Sequence, residues 1–227
     1  MTLRARFQPV LQLRKRLVSA FRLPVQAGSG SGAAVVETNL GEARDDWALK
    51  VAIGLLQETR HSREPALIVP LHYATLASMH SRDQYARHCR QLPKRSSRKL
   101  VFELLGLPEA LPQARVRELL SYVRPFCLAL LVRLPRATAE IGHLASSGVR
   151  GLSLAADTAM GDPCRQDALA TLAGTARVAG MRSMLVDVAA PRQCLDADIA
   201  GIDHVSGDAL MPPLAKPGRA FVVARGR

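Results

Sequence analysis

The chain has 227 residues, of which 48% are hydrophobic, and it carries a formal net charge of +12 at pH 7. This length and apolar content suffice for a sizeable buried core, and one domain over residues 1–227 is expected. No apolar run approaches the roughly 18 residues that a membrane-spanning helix needs, so membrane insertion is not predicted. No charged leader followed by an apolar run and a small-residue cleavage site is found, and we expect a soluble, cytoplasmic protein.

Two basic stretches concentrate the positive charge. Residues 4–22 hold six basic and no acidic residues, and residues 82–99 hold seven Lys or Arg residues against Asp83 alone. Either an anionic partner or a solvated face would explain such stretches, and the first one is also similar to a transit peptide. Because the stretches lack the interleaved aromatic residues that stack on bases, nucleic-acid binding is disfavoured.

The remaining motifs exclude several classes of site. The four cysteines lie far apart and show no CxxC or Cys/His spacing, so neither a zinc site nor a disulfide framework is expected. The sequence contains no GxSxG, P-loop or HExxH motif, and the glycine-rich residues 27–34 are not followed by the Lys-Ser/Thr of a nucleotide site. We therefore predict no cofactor.

Short apolar segments alternate with helical patterns from end to end. Predicted strands cover residues 67–69, 100–105, 127–132, 151–155, 181–188 and 204–205, and predicted helices cover residues 45–58, 73–89, 112–123, 137–145, 165–179 and 192–199. Short apolar runs without alternation are typical of parallel strands buried on both faces. Repeated strand–helix units leave two architectures open, a doubly wound open sheet and a closed (β/α)8 barrel.

Several of these segments, read in order, resemble the EAL domain family, the barrel phosphodiesterases of bacterial cyclic diguanylate signalling. The matching segments are Phe7-Gln8-Pro9-Val10 (family QPI), Asp46-Trp47-Ala48-Leu49 (D-x-W-x-L), Leu100-Val101-Phe102-Glu103-Leu104 (LEITE), residues 181–188 (AEGVET) and Gly201-Ile202-Asp203-His204-Val205-Ser206-Gly207 (G-x-D-x-x-Q-G). The resemblance as a whole runs from about residue 7 to residue 222. The resemblance implies an α/β fold of the EAL type, a (β/α)8 TIM-barrel-like domain in which Phe21 lies on a strand.

The metal-ligand positions of the family depart from its pattern. Phe21-Arg22-Leu23 stands in place of Glu-Ala-Leu, Pro70 in place of an asparagine, and Val132-Arg133 in place of paired aspartates. The arginine that grips a ligand phosphate falls near Val25, and Ser153-Leu154-Ala155 replaces Lys-Ile-Asp with Asp157 two residues late. Only Glu103 and Asp187 stay acidic.

This departure bears on catalysis. Two divalent metals need several hard oxygen ligands that converge at one end of the barrel, and two carboxylates beside Arg133 are too few. The resemblance therefore implies that the chain has no catalytic residues and no metal site. Glu103 is expected either as a vestigial ligand or in a structural pairing with an arginine, and His72, after a predicted strand, as a structural residue.

The leading hypothesis is a catalytically inactive EAL-like domain that regulates by contacting another protein in cyclic diguanylate-type signalling. The alternative is a receptor that binds cyclic diguanylate without hydrolysing it, through a vestigial pocket of Gln8, Glu103 and Asp187; the lost arginine clamp predicts weak binding. A nucleic-acid module and an active phosphodiesterase are less favoured. An acidic protein partner is expected at a basic surface that comprises Arg82, Arg87, Arg90, Lys94 and Arg95.

Overall fold

The structure, a computed structural model, describes residues 5–24, 37–58, 65–93, 98–138, 140–156 and 164–223. The strands are β1 (Gln8–Gln12), β2 (Leu17–Arg22), β3 (Ala66–His72), β4 (Leu100–Leu105), β5 (Ala129–Arg133), β6 (Gly151–Ala155), β7 (Arg182–Val186), β8 (His204–Ser206) and β9 (Phe221–Val222). The α-helices are α1 (Glu37–Glu58), α2 (Tyr73–Ala77), α3 (Met79–Cys89), α4 (Gln113–Ser121), α5 (Gly142–Ala145), α6 (Cys164–Val178) and α7 (Pro191–Ile199).

Strands β1 to β8 close into a barrel. The strands from β2 to β8 pair in parallel, each with the next one, and β1 pairs antiparallel with both β8 and β2. A four-residue turn joins β1 to β2, and so short a connection can only join antiparallel strands. The short strand β9 pairs with the beginning of β2. Because the sheet is closed, the structure confirms the predicted TIM-barrel-like architecture and not the open doubly wound sheet.

The buried apolar residues form two layers, because successive side chains of a strand point to opposite faces. Inside the barrel lies a small cluster of Val10, Ala20, Ile68, Val101, Met184 and Val186. Between the strands and the helices lies the larger cluster, to which the strands contribute Phe21, Val69, Phe102 and Val132 and the helices contribute Leu49, Val116 and Leu169. The barrel interior is therefore narrow and filled, and polar side chains can gather only at its ends.

Three predicted helices differ from the structure by more than a shift of one or two residues at their ends. Helix α1 begins at Glu37, so the acids predicted to start it lie in its middle. The predicted helix 73–89 is divided at Ser78, whose hydroxyl accepts a hydrogen bond from the Ser81 amide and caps α3. The predicted helix 137–145 is reduced to Gly142–Ala145, because the Thr138 hydroxyl holds the Glu140 amide in a local turn that competes with a helix.

Two further observations concern the helices and the thiols of the described residues. Within the described residues, no helix has both the length and the apolar character that crossing a membrane requires. Cys89, Cys127 and Cys194 are free thiols, and burial raises the pKa of Cys89 and of Cys127 to about 12. Thiols with such pKa values stay protonated at neutral pH and are poor nucleophiles.

Candidate functional site at the barrel mouth

Five polar side chains meet at the carboxyl end of the parallel strands, the end at which TIM barrels carry their sites. They are Arg22 on β2, Glu103 on β4, Arg133 on β5, Ser153 on β6 and Asp187, which directly follows β7. Arg22 is two residues after Ala20 and Glu103 two residues after Val101, and both of those residues belong to the interior cluster. The period of the strands therefore directs these side chains into the barrel.

Glu103 is the centre of an ion network. Its carboxylate is fully buried and accepts hydrogen bonds from Arg22 Nε (2.8 Å), Ser153 Oγ (2.6 Å), Arg133 Nε (3.1 Å) and Arg133 Nη2 (2.9 Å). Arg22, 1% exposed, also donates from Nη1 to Asp187 Oδ1 at 2.8 Å. Arg133 Nη1 lies 3.4 Å from Asp187 Oδ2. Two guanidinium groups and two carboxylates thus form a closed and electrically neutral ring.

The ring keeps its buried members ionised. Burial by itself would raise the pKa of Glu103, but the charges of Arg22 and Arg133 and the Ser153 hydrogen bond lower that pKa to about 2. Burial likewise disfavours the charged form of Arg22, yet Glu103 and Asp187 raise the pKa of Arg22 above its ordinary value. The two buried charges therefore depend on each other for their ionisation.

The ring does not fit a divalent cation. Both oxygens of Glu103 already accept hydrogen bonds from arginine, and the two guanidinium groups occupy the space beside the carboxylates with positive charge. Among the described residues, no group of three or more His, Cys, Asp or Glu side chains could hold a metal ion. Hard cations take six or more oxygen ligands, and the ring offers only the remaining lone pairs of Asp187.

Asp187 has an uncommon backbone conformation at the rim of the mouth. Its φ of +58° lies in the left-handed region, which few residues other than glycine, asparagine and aspartate adopt. Its side chain is 47% exposed although it pairs with the buried Arg22. Gly207 lies close by in the barrel, where a Cβ atom would come within 2.2 Å of the Val188 amide, so only glycine fits there. The backbone after β7 is therefore tightly held by the segment that follows β8.

A cavity of about 270 Å³ opens beside this rim. Its lining consists of Arg6, Gln8, Pro24, Asp187, Val188, Ala189, Gly207, Asp208 and Pro213. Gln8 is buried, and its Nε2 donates to the Met211 carbonyl oxygen at 2.6 Å, which ties β1 to the segment after β8. Of the predicted pocket, Gln8 and Asp187 share this cavity, whereas Glu103 does not line it. Glu103 instead has the predicted pairing with an arginine.

The structure corrects which residues face the mouth. The sequence comparison put Phe21 and Val132 at family ligand positions, but both side chains pack in the helix-side core. Arg22 and Arg133 are the residues that reach the ion network. The importance of Arg22 was missed. The sequence feature that could have identified Arg22 is its position at the end of a short apolar strand, two residues after the small Ala20. Val25 and Asp157 lie outside the described residues.

Pro70 occupies the predicted place beside the network. It pairs in register with Glu103 across β3 and β4, and it has the same strand parity as Ile68 of the interior cluster. A proline side chain offers no ligand atom to a cation, so Pro70 adds no side-chain ligand at the mouth.

His72 has a structural role, as the sequence predicts. The buried carboxylate of Asp45 accepts hydrogen bonds from the His72 amide (2.7 Å) and from the Thr75 hydroxyl (2.5 Å), and His72 Nδ1 lies 2.7 Å from its other oxygen. Asp45, in the middle of α1, thus fixes the beginning of α2 at the end of β3.

The predicted basic surface is only partly exposed. Arg82 was expected on it, but the structure buries this side chain, with its Cζ 4.2 Å from the centre of the Tyr122 ring. The reason is helical geometry: Arg82, Ala86 and Cys89 follow the buried face of α3. Arg87 and Arg90 are exposed as predicted. Lys94 and Arg95 lie outside the described residues.

Comparison with known proteins identifies the fold. No family profile and no curated protein matches the sequence. Solved structures of EAL domains match it over most of their length. An EAL domain protein from Listeria monocytogenes EGD-e has 13% identity and a TM-score of 0.68, with 93% of this chain and 88% of that chain covered.

Two other matching structures contain a bound dinucleotide. The FimX EAL domain of Xanthomonas citri in complex with c-diGMP has 17% identity and a TM-score of 0.66, with 95% and 90% of the two chains covered. The PaMucR phosphodiesterase in a c-di-GMP complex has 12% identity and a TM-score of 0.72, with 94% and 96% covered. The chain therefore has the fold of the EAL domains.

Proposed function

We propose that this chain is a catalytically inactive EAL-type domain that acts as a regulatory protein-binding module in c-di-GMP signalling. The observation that carries the proposal is the ring of Arg22, Glu103, Arg133 and Asp187 at the mouth of the barrel. The link to c-di-GMP rests on the fold, which the chain shares with structures that hold this dinucleotide.

The ring argues against hydrolysis on two grounds. Metal-assisted cleavage of a phosphodiester needs cations that activate water and neutralise the developing charge, and the two arginines hold the carboxylates that would have to bind such cations. A general base must also accept a proton near neutral pH, whereas the pKa of Glu103 is lowered to about 2 and its oxygens face guanidinium donors. Among the described residues, the side chains at the mouth meet neither requirement.

A turnover assay tests this part of the proposal. We expect the purified chain to release no linear dinucleotide from c-di-GMP with Mg²⁺ or Mn²⁺ above a control without enzyme, while PaMucR phosphodiesterase under the same conditions does. Circular dichroism on the same preparation establishes that the chain is folded. Linear product that disappears when EDTA is added would show that the chain is an active phosphodiesterase.

The second candidate function is a receptor that binds c-di-GMP without hydrolysing it. The observation in its favour is the cavity beside the ring, which Gln8 and Asp187 share and which has Arg6 in its wall. Its volume of about 270 Å³ is at the lower limit of ordinary ligand pockets, which measure about 300–1,000 Å³. A cyclic dinucleotide would therefore be held only in part, and this is why we favour the protein-binding role.

Isothermal titration with c-di-GMP distinguishes the two candidates. The protein-binding proposal expects no saturable heat below about 100 μM ligand, which corresponds to a binding free energy weaker than about 5.5 kcal/mol. A receptor would show micromolar binding that weakens at least tenfold in Gln8→Ala. Gln166→Ala, an exposed glutamine on α6, is the matched control.

A further inference from the structure

A groove runs along the exposed side of α3, away from the barrel mouth. It is lined by Met79, His80, Asp83, Ala86, Arg87, Arg90 and Tyr122, and its volume is about 590 Å³. We call it the α3 groove. Its walls come from one helix and from the residue that caps α4, so the groove is open at the surface and accessible to another chain.

A buried guanidinium group lies behind the groove. Arg82 is 8% exposed, and its Cζ lies 4.2 Å from the centre of the ring of Tyr122, which lines the groove. Its Nη1 reaches the Leu76 carbonyl only at 3.5 Å, and its Nε has no hydrogen-bond partner among the described residues. No ion pair joins Arg82 to a carboxylate within the described part of the chain. Buried charges are ordinarily paired, so this arginine leaves positive charge uncompensated beside the groove.

Two further arginines add charge at the surface. Arg87 and Arg90 are exposed and three residues apart, so they present adjacent guanidinium groups on one side of α3. Neither forms an ion pair with a described carboxylate, and Asp83 is the single acidic residue in the lining. A planar guanidinium group binds a carboxylate through two parallel hydrogen bonds and loses little hydration in doing so.

The groove also offers apolar surface. The side chain of Met79 is 71% exposed at one end, and Tyr122 contributes the aromatic wall. Flexible methionine, tyrosine and arginine are the residue types that are enriched where proteins bind one another. Nucleic acid fits less well, because single strands bind by stacking successive bases on several aromatic rings and Tyr122 is the single Phe, Tyr or Trp in the described lining.

We propose that the α3 groove binds an acidic segment of a partner protein, with its carboxylates on Arg87 and Arg90 and its apolar side chains against Met79 and Tyr122. This inference rests on the proposed function, since it gives the protein-binding module its binding site. It is separable from the question of catalysis, because the groove shares no lining residue with the cavity at the barrel mouth.

The test uses the full chain and a defined probe, fluorescein-labelled hexaglutamate, with hexaglutamine as the uncharged control. In fluorescence anisotropy at low salt, we expect saturable binding of hexaglutamate that weakens as salt is added, and at least tenfold weaker binding of hexaglutamine. The double variant Arg87→Glu with Arg90→Glu should weaken hexaglutamate binding at least tenfold. The matched control, Arg177→Glu with Arg219→Glu, changes the net charge equally at two exposed arginines outside the groove and should weaken binding less than about threefold.

Three results would overturn the inference. One is the absence of hexaglutamate binding to the unaltered chain at low salt. Another is an equal loss in the two double variants, which would assign binding to overall charge. A third is tighter binding of a labelled single-stranded DNA with the same loss in the groove variant, which would make the groove a nucleic-acid site. Hydrolysis of c-di-GMP would defeat the proposed function and leave these binding results standing.

Discussion

The arginines of the barrel mouth and those of the α3 groove have opposite electrostatic surroundings. Arg22 and Arg133 are bound by Glu103 and Asp187, and their charges cancel within the fold. Arg87 and Arg90 are exposed, and among the described residues no carboxylate forms an ion pair with them. The buried charge of Arg22 is neutralised within the fold, whereas a charge at the surface remains available to a partner. Arginine therefore carries neutralised charge at the barrel mouth and exposed charge in the α3 groove.

Glu103→Gln should have the largest effect on stability. It keeps the shape of the side chain but leaves the buried Arg22 with only the half-exposed Asp187 as its counter-charge. Breaking a buried pair on one side costs about 3–5 kcal/mol, and we expect a loss of this size in the free energy of unfolding in urea. Glu118→Gln, at an exposed pair with Arg115, should change it little. A loss below about 1 kcal/mol in Glu103→Gln would mean that the mouth tolerates an unpaired arginine as well as the surface does.

Acid should lower the free energy of unfolding by protonating Glu103. Folding lowers the pKa of Glu103 from 4.5 to about 2, so the ionised form contributes its full stabilisation above pH 4.5. This contribution is lost as the pH falls through the interval from 4.5 to about 2. By pH 3 the loss amounts to about 2 kcal/mol. Urea unfolding at a series of pH values should therefore show a steeper acid limb for the unaltered chain than for Glu103→Gln. Parallel acid limbs would contradict the assignment.

Asp187→Asn should have a smaller effect, about 1 kcal/mol, because this carboxylate is half-exposed and Arg22 keeps its bond to Glu103. Asparagine tolerates the left-handed backbone of this position, so the variant removes charge without backbone strain. Asp187→Ala removes the charge and adds strain, and it should be less stable than the asparagine variant. Thermal unfolding of both variants measures the difference, and a reversed order would contradict the assigned role of the backbone.

Arg87→Glu with Arg90→Glu should have the smallest effect on stability. Exposed charges contribute little, and we expect the thermal midpoint to move by less than about 2 °C. The variant should nevertheless lose its acidic ligand, as argued for the α3 groove. A large fall in the midpoint would show that these arginines hold the fold together, and the contrast between the two regions would then fail.

The sequence predicted the helices and strands best where a single pattern decided them. The strands 100–105 and 151–155 coincide with β4 and β6, and the helix 192–199 differs from α7 by one residue. The predictions were less accurate where local hydrogen bonds compete with helical periodicity, as at Ser78 and Thr138. Hydroxyl side chains that bind nearby amides end a helix without changing its apolar pattern.

The candidate site could be predicted only in part. Glu103 and Asp187 were identified through their resemblance to the acidic residues of a family, and an arginine partner for Glu103 was one of two expectations. Arg82 was assigned to the surface by its charge, yet the structure buries it, with its Cζ 4.2 Å from the centre of the Tyr122 ring and its Nη1 3.5 Å from the Leu76 carbonyl oxygen. Charge in a sequence favours exposure, but it cannot reveal an aromatic partner 40 residues away.

By itself, the sequence determined the alternation of buried strands and helices, because apolar periodicity is a local property of the chain. The tertiary structure decided which side chains meet. Arg22 and Asp187 lie 165 positions apart, and only closure of the barrel brings their atoms to 2.8 Å. It also decided that Arg22 and not Phe21 enters the mouth, since a shift of one residue along a strand exchanges its two faces. The pairing of β2 with β1 and β3 fixes which of its two faces enters the barrel.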